Sequence, residues 1–273
     1  MRQIDLEEKK KIQLEILDSI HSFCLHNDIK YSLGYGSLLG AVRHGGFIPW
    51  DDDIDIIMLR DDYTRFESLF PVVYADRFSF GTINRTERWS LPFGKVYDIR
   101  TIVFEQKATT QPIGVSIDVF PLDYVPENDF VFRINKLWFQ FLCFCNRMKN
   151  FKDTPNTFIL KRVVAFVSKV LLAMVSNTWI IKQIDYRSRI ISRRKNKNVY
   201  YWPSYGSSKP IPVSWFYPVR LISFEGKDYY SVNNMDGYLK STYGFDYMTP
   251  PQEKDRVSYH TSTAFWKDLQ DEG

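Results

Sequence analysis

The chain has 273 residues, 44% of them hydrophobic and 25% charged, with a formal net charge of +4. Such a chain suits one large globular domain or a domain with an appendage, and its composition excludes a collagenous, disordered or disulfide-scaffold protein. The charge is uneven: Lys182 to Lys197 holds seven Lys or Arg and one acid, which points to an anionic partner for the basic part.

From the start of the chain, MRQIDLEEKKK lacks the apolar core of a secretory signal. The three cysteines, Cys24, Cys143 and Cys145, are an odd number without zinc or redox spacing, and are expected to be reduced thiols in a cytoplasmic protein. Residues 6–27 place Ile16, Leu17, Ile20, Phe23 and Cys24 at helical spacing, with acids early and His26 late. Tyr31 and Leu33 predict a short strand. Ser37 is placed to cap a short helix through Arg43, and His44-Gly45-Gly46 must turn. Asp53 to Leu59 reads as a strand, and Asp62 as the cap of a helix through Phe70. Further strands are expected near 78–84, 91–97, 102–105 and 115–120. Beyond Pro126 two long helices are expected, about 128–149 and 156–195. A hairpin over Val219–Ser231 turns at Glu225-Gly226-Lys227, followed by a short helix near Asn234–Tyr243 and an irregular tail. Phe158 to Ile181 is apolar enough to suggest a membrane, but Lys161, Arg162 and Lys169 interrupt it. It reads as a buried helix or one lying on a membrane surface, not a spanning one.

The stretch GYGSLLGAVRHGGFIPWDDDIDIIM, Gly34 to Met58, holds five glycines and four aspartates. In a strand, alternate side chains share a face, so Asp51, Asp53 and Asp55 point one way if the strand is regular, while Ile54 and Ile56 face the core. A row of ionised carboxylates is costly unless a cation neutralises it, and oxygen ligands alone suit magnesium or manganese. A solvated acidic edge is the other reading. Just upstream, Gly34-Tyr35-Gly36-Ser37 joins a strand to a helix start, where backbone amides and the helix dipole favour a phosphate. It is neither a Walker loop nor a dinucleotide fingerprint. Phosphate binding beside metal carboxylates describes phosphoryl or nucleotidyl transfer. Lys95, Arg43 and His44 are expected phosphate contacts, with Arg100 a weaker one; an exposed surface charge and a helix C-terminal charge are the competing readings.

The motif G-x-G-S-L-L-G-A-V-R-H-G-G-F-I-P-W-D-D-D-I-D-I resembles the signature of the LicD family, phosphocholine transferases related to fukutin. The resemblance extends to F-G-K-V-Y-D, to G-V-S-I-D-V-F-P-L-D, and to the late F-E-G…Y-L…Y-G…Y-M-x-x-P-P, and is weakest over 128–200. It implies an α+β, nucleotidyltransferase-like mixed β-sheet flanked by helices, with an added helical segment. The expected parts are a catalytic core over 1–125, a helical insertion over 126–200, and a C-terminal part over 201–273 completing the core. It also implies Gly36 and Ser37 as the G-S element, Asp53 and Asp55 as catalytic metal ligands, Asp118 as the third carboxylate, and Asp51 as a further acid of the site. Magnesium or manganese is the implied cofactor; without the cysteines of the fukutin-related zinc element, no zinc is expected. The implied reaction moves phosphocholine from CDP-choline to a glycan or glycolipid hydroxyl and releases CMP. Nucleic acid is not an expected partner; a peripheral membrane contact is. A quaternary ammonium seeks aromatic faces, and Trp89, flanked by Arg88 and Ser90, is the first expected choline contact, ahead of Trp50, Tyr97, Trp202 and Trp215. A nucleotidyltransferase or CDP-polyol phosphotransferase using the same site, and a non-enzymatic module for anionic glycan, remain as alternatives.

Overall fold

A computed structural model describes residues 1–105, 112–151, 159–204, 209–253, 256 and 262–268. In chain order the elements are β1 (Arg2–Ile4), α1 (Leu6–His26), β2 (Ser32–Leu33), α2 (Tyr35–His44), β3 (Asp55–Leu59), α3 (Arg60–Val73), β4 (Phe78–Gly81), β5 (Gly94–Asp98), β6 (Thr101–Glu105) and β7 (Ser116–Tyr124). Then follow α4 (Asp129–Lys149), α5 (Ile159–Leu171), α6 (Asn177–Ser192), β8 (Asn198–Tyr200), β9 (Ile211–Pro212), α7 (Val213–Phe216), β10 (Arg220–Phe224), β11 (Lys227–Ser231), α8 (Met235–Tyr243) and β12 (Ser262–Trp266). The main sheet is mixed, in the order β2-β3-β7-β5-β4, with β8 on the far part of β7 and β9 on β8. Among the described residues only β3 and β7 run parallel in it; its other pairs are antiparallel. This is the α+β mixed sheet expected from the sequence.

Helix α1 begins where Asp5 accepts the Glu8 N–H at 2.8 Å, with Glu7 and Glu8 in its first turn, so cap and dipole agree. Its buried stripe, Ile12, Ile16, Leu17, Ile20, Phe23 and Cys24, packs into one core with the sheet. A second cluster forms between α4, α6 and β8, around Phe139, Ile180, Ile184 and Trp202. The cysteines are free and buried. Among the described residues no helix is long and apolar enough to cross a membrane.

Four expectations are corrected. The long helix beyond 156 is two: α5 ends at Leu171, and Ser176 starts α6 by accepting the Trp179 N–H at 3.0 Å, a capping signal that the apolar run conceals; residues 156–158 lie outside the described ones. Asp62 is not a cap; α3 starts directly after Leu59, and Asp62 instead accepts from the Tyr217 hydroxyl at 2.6 Å. Ser37 does not cap α2 either, because that helix begins at Tyr35 with Gly34 at its N-cap. The tail is not wholly irregular, since β12 inserts between β1 and β6 as a separate antiparallel sheet. The hairpin stands as expected, Glu225 and Gly226 both having positive φ, as a two-residue turn between twisted strands requires.

The helical segment is tied to the main sheet by a buried ionic network. Arg60 donates to both oxygens of Asp123 on β7, at 2.6 and 2.9 Å, and to Asp185 of α6 at 3.1 Å. Arg189 of α6 closes the ring on Asp185 at 2.7 Å and on Glu67 of α3 at 2.9 Å. Burial pushes the Asp123 carboxyl up, and the neighbouring Arg60 pulls against that shift. Arg60→Ala leaves a buried carboxylate unpaired and is expected to cost about 3–5 kcal/mol, read as a lower denaturant midpoint. Arg60→Met combined with Asp123→Leu, which removes both charges, is expected to recover most of that loss. An unchanged midpoint in Arg60→Ala would show that the network carries no net stability.

Candidate active site

The parallel register of β3 on β7 sets Asp55 directly beside Asp118, and the antiparallel register of β5 on β7 sets Lys95 on the other side of Asp118. Three neighbouring strands thus present Lys95, Asp118 and Asp55 in a row on one face. The Lys95 ammonium donates to Asp118 Oδ1 at 2.6 Å, both side chains being mostly shielded. The Asp118 amide donates to the Ile54 carbonyl at 3.0 Å, which fixes where β3 begins.

Strand β3 starts only at Asp55, so Asp51 and Asp53 lie on the approach to it and not in the ladder. Both nevertheless act on Asp55: its carboxyl is held well above the usual range, first by burial and then by repulsion from Asp53 and Asp118, with Asp51 contributing less and Lys95 opposing. Asp52 belongs elsewhere. Its carboxylate accepts from the Lys9 ammonium of α1 at 2.5 Å. The aspartate run therefore divides into one structural anchor and two site acids.

The glycine helix is fastened to the same place. The Asp55 amide donates to the Ser37 hydroxyl at 2.7 Å, and the Gly34 amide donates to the Asp55 carbonyl at 2.9 Å. Gly36 leaves room for Asp51, since a Cβ there would meet Asp51 Oδ2 at 2.9 Å. Tyr35 opens α2 with φ at +42°, a costly conformation for a bulky residue, held by its amide on the Tyr238 hydroxyl at 3.3 Å and its ring against Phe120. At the other end of α2, the Phe47 amide donates to the Glu225 carboxylate at 3.0 Å, and the Glu225 amide to the Gly45 carbonyl at 2.9 Å. Gly46 admits that clamp, because any Cβ there would overlap Glu225. The late F-E-G and Y-L elements thus brace the glycine segment.

Arg43 donates to His44 Nε2 at 2.9 Å and to the Tyr247 carbonyl at 3.0 Å, and its guanidinium lies over Trp50, as does that of Arg256. Burial, then the neighbouring Arg43 charge, pushes the exposed His44 down. Tyr243 links this edge to the acids. Tyr243 is 44% exposed as a whole, but shielding of its phenol, then Tyr238 and the charges of Asp55, Asp51 and Asp53, push that phenol up, and it acts in turn on Arg43.

Trp89 is the clear correction: only 1% exposed, it donates from Nε1 to the Phe93 carbonyl at 3.0 Å and fills the space above Gly81. Its polar neighbours suggested exposure, but the close approach permitted by Gly81 is a tertiary fact. Trp202 is likewise buried, stacked on Phe139. Trp50 and Trp215 are half-buried, and Tyr97 shares the strand face of Lys95. Arg100 pairs with Asp98 at 2.6 Å and covers Trp266, away from the acid row. Sequence reasoning did not single out Tyr35, Phe93, Phe120, Tyr201, Tyr238 or Tyr243. Phe93, Tyr35 and Tyr201 group around Phe120 with ring centroids 4.5–5.2 Å from its own, and Phe120 shares the face of Asp118 two residues along β7. The available signal was that Tyr35, Phe93, Phe120, Tyr238 and Tyr243 all fall within the motifs quoted above.

Among the described residues, no three His, Cys, Asp or Glu side chains converge closely enough to hold a metal ion. In chemistry the acids fit a hard divalent cation: the donors are all carboxylate oxygens, and their mutual repulsion falls on Asp55. A carboxyl raised on folding weakens the fold when ionised, and the penalty disappears at low pH, where it is protonated in both states. Asp55→Asn is therefore expected to raise the melting temperature of chelator-treated protein, more at about pH 8 than at about pH 5, by ~2–4 °C per kcal/mol of burial and repulsion penalty relieved. A lower melting temperature for Asp55→Asn than for the wild type at the higher pH would contradict a destabilising Asp55 carboxylate.

Residues 28–153 match the family described as LicD/FKTN/FKRP, nucleotidyltransferase domain. The lipopolysaccharide cholinephosphotransferase LicD of Haemophilus influenzae is 31% identical over 278 residues, covering 97% of this chain and 99% of that protein. The human ribitol 5-phosphate transferase FKRP is 49% identical over 41 residues, 15% of this chain and 8% of that protein. An uncharacterised Rickettsia typhi protein is 39% identical over 72 residues, 26% of this chain and 23% of that protein. With its mixed sheet, its acid row and a relative matched over nearly its whole length, the chain belongs to the LicD family and has its nucleotidyltransferase-like fold.

Proposed function

We propose that the chain transfers phosphocholine from CDP-choline to a hydroxyl of a cell-surface glycan, of lipopolysaccharide first and of teichoic acid or capsule otherwise, and releases CMP. The observation that carries this reading is the Lys95–Asp118–Asp55 row beside the start of the glycine helix. The acceptor oxygen attacks the phosphorus that bears choline. A new O–P bond forms, the bond from that phosphorus to the CMP oxygen breaks, and the hydroxyl proton passes to a carboxylate, assigned to Asp118. An ammonium carries three donors, so Lys95 can hold Asp118 and a phosphate oxygen together. The Gly36 and Ser37 region offers backbone N–H groups and the positive end of the α2 dipole to the donor's phosphates. Asp53, Asp55, Asp118 and Asp51 do not converge on one ion as they stand; a magnesium or manganese ion arriving with the donor and taken by some of them would neutralise phosphate charge. Arg43 and His44 stand at the outer edge, suited to the more distant phosphate or to the acceptor.

A choline donor is preferred over a polyol for two reasons. The relative matched end to end is a cholinephosphotransferase, whereas the match to the ribitol 5-phosphate transferase is short. The half-buried rings of Tyr35, Phe93, Phe120 and Tyr201 lie on the acid face, and ring faces bind a quaternary ammonium that cannot donate hydrogen bonds.

Purified protein given CDP-choline, magnesium and a candidate glycan is expected to release CMP in step with choline incorporation. Asp118→Asn is expected to lower the turnover number by about 10²-fold or more while the fold persists. Pyrophosphate release from a nucleoside triphosphate, or full activity in Asp118→Asn, would overturn this assignment. Phe120→Ala is expected to raise the Michaelis constant for CDP-choline by a few-fold to about thirty-fold, with a smaller effect on turnover. Equal-concentration competition against CDP-ribitol and CDP-glycerol tests the donor, and preferential use of either polyol would exclude choline.

A further inference from the structure

We propose that the outer faces of α4 and α5 dock onto an anionic lipid surface. On α4, Phe130, Ile134, Leu137, Phe141 and Phe144 recur at spacings of four and three, forming one stripe opposite the buried Asn135, Phe139 and Leu142; Phe130 is 71% exposed and Leu137 66%. On α5, Ile159, Val163, Phe166 and Val170 form a second exposed stripe, flanked by exposed Arg162 and Lys169. The two helices are joined at their ends: Lys149 of α4 donates to the Leu172 carbonyl at 2.9 Å, and Lys169 of α5 donates to the Phe151 carbonyl at 2.8 Å. A helix normally turns its apolar stripe to the core; α5 buries Ala165 and exposes Ile159, Val163, Phe166, Val167 and Val170. Contiguous apolar surface of this kind marks an interaction site.

Charge selects the occupant. Residues 128–200 hold fifteen Lys or Arg against three Asp, whereas the rest of the chain holds twenty-one Lys or Arg against twenty-nine Asp or Glu. A second copy seated on the same face would bring two strongly basic segments together and be repelled. An anionic bilayer attracts the basic groups and buries the apolar stripes to the depth of its headgroup boundary. The 13 residues of α5 are too few to span a bilayer, which leaves it lying in the interface plane. The inference does not depend on the transferase reading.

Co-sedimentation of the full chain with vesicles of phosphatidylcholine plus phosphatidylglycerol, and of phosphatidylcholine alone, tests the proposal. Binding is expected to the anionic vesicles, to weaken with salt, and to fall by about tenfold or more in a Phe130→Ser, Leu137→Ser, Phe141→Ser, Phe166→Ser variant that keeps the wild-type circular dichroism. Should that variant misfold, hydrogen exchange on the wild type decides: amides of α4 and α5 are expected to gain protection when anionic vesicles are added. Failure to bind, equal salt-insensitive binding to both vesicles, or a stable dimer that the variant abolishes would each overturn it.

Discussion

One strand pairing governs this molecule: β3 beside β7, in parallel, with Asp55 level with Asp118. Burial disfavours the ionised Asp55 carboxylate, and repulsion from Asp53 and Asp118 adds to that cost. The surrounding structure bears that cost in identifiable ways. Lys95 on β5 balances Asp118. Lys9 on α1 removes Asp52 from the problem. The Ser37 hydroxyl accepts the Asp55 amide, so the backbone at the crowded point is held even where the side chains disfavour it. A pairing that is unfavourable in itself and supported from three sides is what an electrostatically preorganised site requires.

The same constraint explains why distant segments return to the glycine helix. A carboxylate row needs a firm opposing wall, and α2 is only ten residues long. Its start is held by Tyr238 from α8, and its end by Glu225 from the β10–β11 turn. The left-handed Tyr35 fits this picture, since a strained residue persists only where its neighbours fix it. The C-terminal part of the chain is in this sense structural support for a motif that lies about two hundred residues earlier.

Much of this was legible in the sequence because its signals are local. The helical spacing of Ile16, Leu17, Ile20, Phe23 and Cys24, the glycine turn and the Glu225-Gly226 hairpin each operate over a few residues, whereas the strand expected from Asp53 begins only at Asp55. What was not legible depends on long-range pairing. The three residues of β1 carry no strand signal until β12 meets them from more than 250 residues away. The register that joins Lys95 to Asp118 is set by two strand pairings, so Lys95 read as a phosphate contact without its carboxylate partner. Trp89 failed for the opposite reason, its exposure having been inferred from neighbours in sequence that are not its neighbours in space. The aromatic group around Phe120 was hidden because its members come from four separate segments.

The small net charge of +4 conceals a strong separation. The basic helical segment and the acidic approach to β3 are different parts of the molecule, and on a negatively charged surface they behave oppositely. The surface attracts the first and repels Asp51, Asp53 and Asp55, which favours one orientation. Phosphate-bearing donors meet the same conflict at close range, because the acid row alone would reject them. Entry of such a donor therefore requires positive charge beside the acids. Lys95 within the row and Arg43 at its edge supply part of it, and a divalent ion would supply the rest. Under the proposed function, the acids that look wasteful in isolation would make anion binding conditional on a cation arriving with the donor.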